Sequence, residues 1–188
     1  MKSDALEYPI VIKDGWVETI RQIASPNHDV RPAGIVVTLI VIHSISLPPG
    51  QFESGMVENF FTNKLPPGAH PYIDELLEVK VSAHFFVGRS GEITQFVSIN
   101  NRAWHAGLSR WKELDNCNDF SVGIEIEGSD SVPFTEEQYS SLNKLLKLLL
   151  DALPSCGPHD VVGHSDIAPD RKTDPGPLFD WAKIGVER

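Results

Sequence analysis

GIVVTLIVIHS, residues 34–44, is a nearly continuous run of β-branched and aliphatic residues. Such a run is typical of a central strand that is buried on both faces of its sheet. The apolar pattern stops at His43 and Ser44. Ligands of open α/β folds bind beside the ends of the strands, so we expect His43 to enter a site at the sheet edge. The alternative is a buried histidine that pairs with a nearby carbonyl group.

A second central strand is predicted for DFSVGIEIEG, residues 119–128. Its branched apolar residues alternate with Glu125 and Glu127, so both carboxylates would lie on one face. Burying a carboxylate is costly unless the group is paired or functional. One of the two glutamates is therefore a candidate general base. The alternative is an edge strand with a solvated face.

Residues 161–176, VVGHSDIAPDRKTDPG, place His164 at the end of a short apolar run, before a polar loop. Imidazole nitrogens and carboxylate oxygens both bind zinc, and three protein ligands leave a fourth position for water. His43, His164 and Asp174 are the candidate ligands, and Lys172 would add a positive charge beside them. No compact metal motif such as HExxH is present. The alternative is a surface loop with incidental charges.

The other segments predict elements that flank these strands. Residues 1–33 show little periodicity and predict an irregular segment. Residues 46–80 contain two Pro-Pro-Gly turns and two short helices, the second predicted over residues 72–79. This long connection is a candidate lid. We expect its first part, residues 46–70, to close over the substrate. Residues 81–97 predict a hairpin with Gly91 in its turn.

The clearest helix is predicted between Thr135 and Leu153. Thr135 and Gln138 form a capping-box pattern, leucines recur at helical spacing, and Pro154 ends the helix. This helix is interpreted as core packing without a functional role.

NRAWHAG, residues 101–107, predicts a recognition loop. The ring of Trp104 offers a flat apolar face for a sugar, and Arg102 offers a fork for a carboxylate. The alternative is a core tryptophan beside a solvated arginine. His105 would point away from Trp104 in an extended backbone, so its role stays open, whereas His84, in the middle of an apolar strand, is expected to be structural.

Composition restricts the class of protein. The chain has 188 residues, 41% of them hydrophobic, and a net charge of −10, which argues against a general nucleic-acid binder. No apolar run is long enough for a membrane-spanning helix. Acidic residues stand where a signal peptide would have its apolar core, so we expect a cytoplasmic protein. Cys117 and Cys156 would then remain reduced.

The chain as a whole resembles the AmpD family of cytoplasmic 1,6-anhydro-N-acetylmuramyl-L-alanine amidases. That family belongs to the zinc amidase superfamily, which also contains phage-lysozyme-type amidases and peptidoglycan-recognition proteins. The stretches that carry the resemblance are HSISLPPGQF (43–52), VSAHFFVGRSGEITQFV (81–97), RAWHAG (102–107), NDFSVGIEIEG (118–128) and GHSDIAPDRKTDPGPLFDW (163–181).

The resemblance implies a single α/β domain, with a mixed central sheet flanked by helices. It also implies a Zn²⁺ ion on His43, His164 and Asp174. It singles out Glu125 as the catalytic one of the two glutamates and places Lys172 at the position of the lysine that stabilises the transition state.

The implied reaction cuts the amide bond between the lactyl group of anhydro-muramic acid and L-alanine in cell-wall recycling. The implied partner is an anhydro-muropeptide, bound by a monomer without nucleic acid or membrane. Trp104 would fit the sugar and Arg102 a peptide carboxylate. Ser44 stands where close relatives are expected to have asparagine, and Lys80 and Asn116 where they are expected to have arginine. The alternative function is a peptidoglycan-binding module that retains zinc but has little or no activity.

Overall fold

A computed structural model describes residues 11–187 as a mixed sheet with helices on both of its faces. The helices are α1 Met56–Phe61, α2 Pro71–Asp74, α3 Glu136–Ala152 and α4 His164–Ile167. The strands are β1 Ile12–Lys13, β2 Trp16–Val17, β3 Arg21–Gln22, β4 His28–Val30, β5 Leu39–Ile45, β6 Phe85–Val87, β7 Ile93–Gln95, β8 Asn101–Ala103, β9 Arg110–Trp111, β10 Leu114–Asp115, β11 Ser121–Glu127 and β12 Val161–Gly163.

The main sheet has the strand order β12-β5-β11-β6-β7-β3. β5 pairs in parallel with both β11 and β12, and β11 pairs in parallel with β6. The carboxyl ends of these four strands therefore meet at one edge. The hairpin of β6 and β7 is antiparallel, as the sequence predicts. The sheet is mixed, which confirms the predicted fold class.

The two central strands divide their side chains between two faces. Ile40 and Ile42 lie on the same face as Val122 and Ile124, and all four are fully buried against α3. On the opposite face of β5, Leu39 and Val41 pack in a separate cluster, and His43 follows them in the alternation. This alternation puts the polar side chains of the strand ends on the face away from α3.

α3 covers the first face and begins and ends close to the predicted positions. The hydroxyl of Thr135 accepts a hydrogen bond from the backbone N–H of Gln138, whose side chain accepts one from the N–H of Thr135. Leu142, Leu145 and Leu149 are at most 1% exposed. Burying one such side chain stabilises the fold by about 1.5–3 kcal/mol, so α3 anchors this side of the sheet.

The N-terminal segment, predicted from the sequence to be irregular over residues 1–33, contains four short strands among the residues that the structure describes. Residues 1–10 of that segment lie outside the described part. From Val11 onward the chain forms β1 to β4, of which β3 joins the edge of the main sheet and β4 pairs with β8. The partner strands of β3 and β4, which are β7 and β8, lie far along the chain. Strands of two or three residues also show no periodicity of their own, so the sequence does not reveal them.

The second helix of the connection is shorter than predicted. The sequence favoured a helix over residues 72–79, but α2 ends at Asp74. Beyond it, Leu76 and Val79 donate backbone hydrogen bonds to carbonyls three residues earlier, so the chain continues as turns. In the part of the chain that the structure describes, no helix is long and apolar enough to span a bilayer.

Candidate functional site

Three side chains from separate segments meet at the carboxyl edge of the sheet. His43 lies near the end of β5, His164 begins α4 directly after β12, and Asp174 follows on the next loop. The two Nδ1 atoms of His43 and His164 lie 2.9 Å apart. Oδ2 of Asp174 lies 3.1 Å from each of them. The parallel pairing of β5 with β12 brings the two histidines together.

Backbone hydrogen bonds hold the loop between His164 and Asp174. The N–H of Ser165 donates to the carbonyl of Asp174 at 3.0 Å, which closes the loop on itself. The N–H groups of Arg171 and Lys172 both donate to the carbonyl of Ala168. These hydrogen bonds within the loop hold Asp174 beside His164.

The donor set fits a zinc ion. Nε2 of His164 faces the carbonyl oxygen of Ala106 at 3.0 Å, so this nitrogen carries the ring proton and the neutral ring presents a bare Nδ1 to the cluster. A tetrahedral zinc with bonds of 2.0–2.1 Å places neighbouring ligand atoms about 3.3 Å apart. The observed separations of 2.9–3.1 Å are close to that distance. Nitrogen and oxygen donors are also the ones that zinc accepts.

Electrostatics keep His43 and Asp174 in the form that binds a cation. The pKa of His43 falls to about 4, chiefly because the ring is buried; Asp174 opposes this shift and the nearby His164 adds to it. Burial alone would raise the pKa of Asp174, but its contacts with His164 and His43 bring it well below its usual range. Near neutral pH, the cluster therefore holds a neutral His43 and an ionised Asp174.

Glu125 lies directly beside this cluster. It pairs in register with His43 on the neighbouring strand. Its Oε2 atom is buried and has no hydrogen-bond partner among the described residues. Burial raises the pKa of Glu125 well above its usual value, the charge of Asp174 raises it further, and Lys172 opposes both. A raised pKa and an unpartnered buried oxygen are typical of a carboxylate that exchanges protons with a bound molecule.

Glu127, the other candidate base, has a different environment. Its carboxylate accepts hydrogen bonds from the backbone N–H groups of Glu53, at 2.6 Å, and Arg89, at 3.1 Å. Both oxygens are thus used to hold neighbouring loops. The geometry favours Glu125 over Glu127 as the acid–base group.

A cleft of about 510 Å³ opens above the cluster. One wall comes from the connection between β5 and β6, and the other from the loops after β8, β11 and β12. Its lining includes Ser44, Leu47, Phe60, Phe61, Tyr72, Leu76, Val79, Val81, Trp104, His105, Glu125, Asp130, His164, Arg171, Lys172 and Asp174. The cleft thus combines an apolar wall with the charged groups of the site.

The residues predicted to bind substrate are not all in this cleft. Ser44 and Trp104 line it. Arg102 does not, because its guanidinium is bound by Asp29 and Asp119 at 2.5–2.6 Å. Lys80 is exposed and is not among the lining residues. Arg102 therefore holds protein segments together, and neither its side chain nor that of Lys80 lines the cleft.

The sequence left the role of His105 open, and in the structure this residue contacts His43. Its Nδ1 lies 2.9 Å from Nε2 of His43, on the side of that ring that faces away from Asp174. Its other nitrogen lies 3.2 Å from the hydroxyl of Ser121. The opposite orientations of Trp104 and His105 in an extended segment were the only signal for such a contact in the sequence.

Comparison with known proteins assigns the family. The family model described as N-acetylmuramoyl-L-alanine amidase matches residues 33–177. The 1,6-anhydro-N-acetylmuramyl-L-alanine amidase AmpD of Escherichia coli (strain K12) is 45% identical over 177 residues, which cover 94% of this chain and 96% of that protein. The chain therefore belongs to the N-acetylmuramoyl-L-alanine amidase family. Within that family its full-length similarity is to AmpD, which confirms the resemblance seen in the sequence.

Solved structures agree with this assignment. A crystal structure of a selenomethionine derivative of AmpD matches with a TM-score of 0.90 at 43% identity, covering 94% of this chain and 98% of that one. The amidase AmiD from E. coli, in complex with anhydro-N-acetylmuramic acid-L-Ala-D-γ-Glu-L-Lys, matches with a TM-score of 0.59 at 30% identity. That match covers 94% of this chain and 64% of AmiD.

Proposed function

We propose that this protein is a zinc-dependent amidase that hydrolyses the bond between the lactyl group of 1,6-anhydro-N-acetylmuramic acid and L-alanine, releasing the stem peptide in cell-wall recycling. The observation that carries the proposal is the cluster of His43, His164 and Asp174, next to a cleft that Glu125 and Lys172 also line. The full-length similarity to AmpD supports the substrate class.

The metal ligands would be His43, His164 and Asp174. When bound there, zinc supplies a Lewis acid for the scissile carbonyl and lowers the pKa of water at the open position. Two neutral imidazoles and one carboxylate leave a net positive charge at the site when Zn²⁺ is present. That charge favours the ionised form of Glu125 over the protonated form that burial alone stabilises.

Glu125 would move the proton in this reaction. Its buried Oε2 would accept a proton from the attacking water and donate it to the nitrogen that leaves with L-alanine. An unpartnered oxygen is suited to this task because no protein hydrogen bond has to break first. Lys172 would stabilise the negative charge that develops on the carbonyl oxygen, and one such donor is worth roughly 3–4 kcal/mol.

Substrate recognition would use the two walls of the cleft. The ring of Trp104 would contact the sugar, and Ser44 would contact the bound molecule from the end of β5. Phe60 and Tyr72, on the opposite wall, offer further apolar surface.

We place the reaction in the cytoplasm and the active form as a monomer, without nucleic acid or membrane as partner. The two free cysteines, Cys117 and Cys156, are both buried, as in proteins of a reducing compartment. The net charge of −10 disfavours association with nucleic acid.

The test is to incubate the purified protein with anhydro-muropeptide and with ordinary muropeptide, with and without a chelator, and to follow the products by mass spectrometry. Cleavage of the anhydro substrate that stops after chelation and returns with zinc is the expected result. Binding without release of peptide would instead favour the peptidoglycan-binding module. Activity that survives complete removal of zinc would contradict the mechanism.

The matched variants separate chemistry from metal binding. Glu125→Gln should retain zinc and lose about 10²–10⁴-fold in kcat, because a positioned acid–base group contributes about that much. Glu127→Gln is the control on the same strand face and should keep kcat within about tenfold. Equal losses in both variants would show that the acid–base role is not specific to Glu125.

A further inference from the structure

The face of β11 that points away from α3 contains a chain of hydrogen bonds that ends on His43. Ser121 begins β11, and its hydroxyl donates to the carbonyl oxygen of Cys117 at 2.5 Å. Nε2 of His105 lies 3.2 Å from the same hydroxyl oxygen, and Nδ1 of His105 lies 2.9 Å from Nε2 of His43. Ser121 is fully buried and His43 is 1% exposed, so water does not compete at these ends of the chain.

The backbone carbonyl at the start of this chain fixes the direction of every bond. A hydroxyl has one proton, and that of Ser121 is used by Cys117. The hydroxyl oxygen must then accept, so Nε2 of His105 carries a proton. Neither ring nitrogen of His105 contacts a carboxylate among the described residues, and a neutral imidazole has only one ring proton. Nδ1 of His105 is thus an acceptor, and the proton of the next bond belongs to Nε2 of His43.

We propose that Ser121 and His105 are positioning residues that hold His43 in its Nε2–H tautomer, so that the bare Nδ1 faces His164 and Asp174. Partners of this kind fix the ring orientation of metal-binding histidines in general. His164 obtains the same tautomer directly, from the carbonyl of Ala106. His43 has no such carbonyl contact among the described residues and depends on the two side chains instead.

Gly123 makes room for this arrangement. A Cβ atom at this position would lie 2.5 Å from Cγ of His105, closer than atoms pack in folded proteins. The ring of His105 therefore occupies the space that a side chain on β11 would take. It also meets the ring of His43 edge-on, with centroids 5.0 Å apart. The absence of a side chain at Gly123 sets the height of His105 above the sheet.

The inference rests on the proposed function in one respect, since it takes His43 as a metal ligand. Its test uses metal-free protein and zinc alone. Long-range proton–nitrogen spectra of nitrogen-15-labelled histidine rings report which ring nitrogen carries the proton. Competition with a chromophoric chelator reports zinc affinity. Neither measurement needs a substrate, so a chain that shows the predicted tautomer but cleaves no muropeptide would overturn the proposed function and leave this inference standing.

In the wild-type protein we expect His43 in the Nε2–H form. In Ser121→Ala, His105 loses the acceptor for its Nε2 proton and can donate from Nδ1 instead, which moves the proton of His43 to its Nδ1. We expect that shift in the spectra, together with a 10–100-fold loss of zinc affinity. Ser98→Ala is the matched control, because Ser98 also donates to a backbone carbonyl, that of Asp14, far from the site in the fold. It should leave both measurements unchanged.

Substitutions of His105 test the acceptor itself. His105→Ala should lose zinc affinity as Ser121→Ala does, whereas the side-chain oxygen of His105→Asn can accept the proton of His43 and should restore affinity to within a few-fold of the wild type. A purely structural role for His105 would make the two variants alike. An Nδ1–H form of His43 in the wild type, or Ser121→Ala with unchanged tautomer and zinc affinity within twofold, would overturn the proposal.

Discussion

His84 is a buried imidazole that the protein keeps neutral. It is fully buried, its Nδ1 accepts the backbone N–H of Gly123, and its Nε2 lies 3.1 Å from the carbonyl of Asn101. Burial lowers the pKa of His84 to about 3, and the charge of Arg31 contributes to the shift. In the unfolded chain the pKa returns to 6.5, so the unfolded state binds more protons than the folded state between those two values.

The free energy of unfolding should therefore fall as the pH falls below 6.5. The contribution of His84 between pH 7 and pH 5 is about 2 kcal/mol, at about 1.4 kcal/mol per pH unit below the unfolded pKa. His84→Gln should be less stable at pH 7, because a buried hydrogen bond is lost, but should lose about 2 kcal/mol less on acidification. Urea unfolding at the two pH values measures both effects. The exposed His159→Gln is the control, and an unchanged pH dependence in His84→Gln would contradict this account.

Arg102 ties three short elements together. Its guanidinium forms two hydrogen bonds of 2.6 Å with Asp29 of β4. It forms a third, of 2.5 Å, with Asp119, which lies shortly before β11. The hydrogen bond from Arg102 lowers the pKa of the Asp29 carboxyl, burial opposes it, and a weaker contribution from Trp104 lowers it further. Arg102 thus supports Trp104 indirectly, through Asp29.

Arg102→Ala should accordingly reduce stability more than chemistry. The charged hydrogen bonds are part-buried, so we expect a loss of about 1–2 kcal/mol in the free energy of unfolding. kcat should change by less than about threefold, and any rise in KM would reflect a less ordered Trp104. Urea unfolding and steady-state kinetics separate the two. Arg110→Ala removes an exposed arginine with two carboxylate partners of its own and should change neither quantity measurably. A large loss in kcat with full stability would favour the direct substrate role instead.

Glu127 anchors the start of the connection between β5 and β6. It is 4% exposed and accepts the N–H groups of Glu53 and Arg89, while Arg89 also lies over the ring of Phe52. Glu53 adopts a positive φ of 54°, which this contact supports. Glu127 therefore holds the segment at Glu53. Any closing motion of residues 46–70 has to take place beyond that residue.

Glu127→Gln replaces one acceptor oxygen by a donor that faces a backbone N–H. We expect a loss of about 1–3 kcal/mol and faster cleavage of residues 47–55 in limited proteolysis. The exposed Glu137→Gln should leave the cleavage rate unchanged. In the wild type, bound muropeptide should slow cleavage across residues 46–70. Equal rates with and without ligand would argue against a lid.

The elements that could be predicted from the sequence are those with their own periodicity. β5, β11, the hairpin of β6 and β7, and α3 each repeat an apolar pattern over enough residues to define a face. β4 and β8 could not be predicted, because each has three residues and its partner lies about 70 positions away.

The same limit applies to the site. The strand-end histidines were predictable because parallel strands end at one edge. Glu125 and Glu127 share a face, so periodicity could not distinguish them. What separates them is the pair of N–H groups that Glu127 meets and Glu125 does not, and those come from distant loops. Arg102 was misleading for a similar reason, since its partner Asp29 is 73 residues away.

At the scale of the whole molecule, the candidate metal site joins segments that are far apart in the chain. His43 and Asp174 are 131 residues apart in the chain. The unfolded chain cannot bring the three ligands together without folding most of the domain. Metal binding is then linked to global stability, because the ion binds the folded state and not the unfolded one.

Zinc should therefore raise the melting temperature of the metal-free protein. At a free zinc concentration of 100 times the Kd, the stabilisation is about 2.7 kcal/mol, which for a chain of this size corresponds to about 5–10 °C. Asp174→Ala removes one ligand and should abolish most of that shift, whereas the exposed Asp170→Ala, in the same loop, should keep it. Differential scanning calorimetry across a zinc titration measures the effect. If zinc stabilised Asp174→Ala as much as the wild type, the ion would be binding elsewhere, and the assignment of Asp174 as a ligand would have to be abandoned.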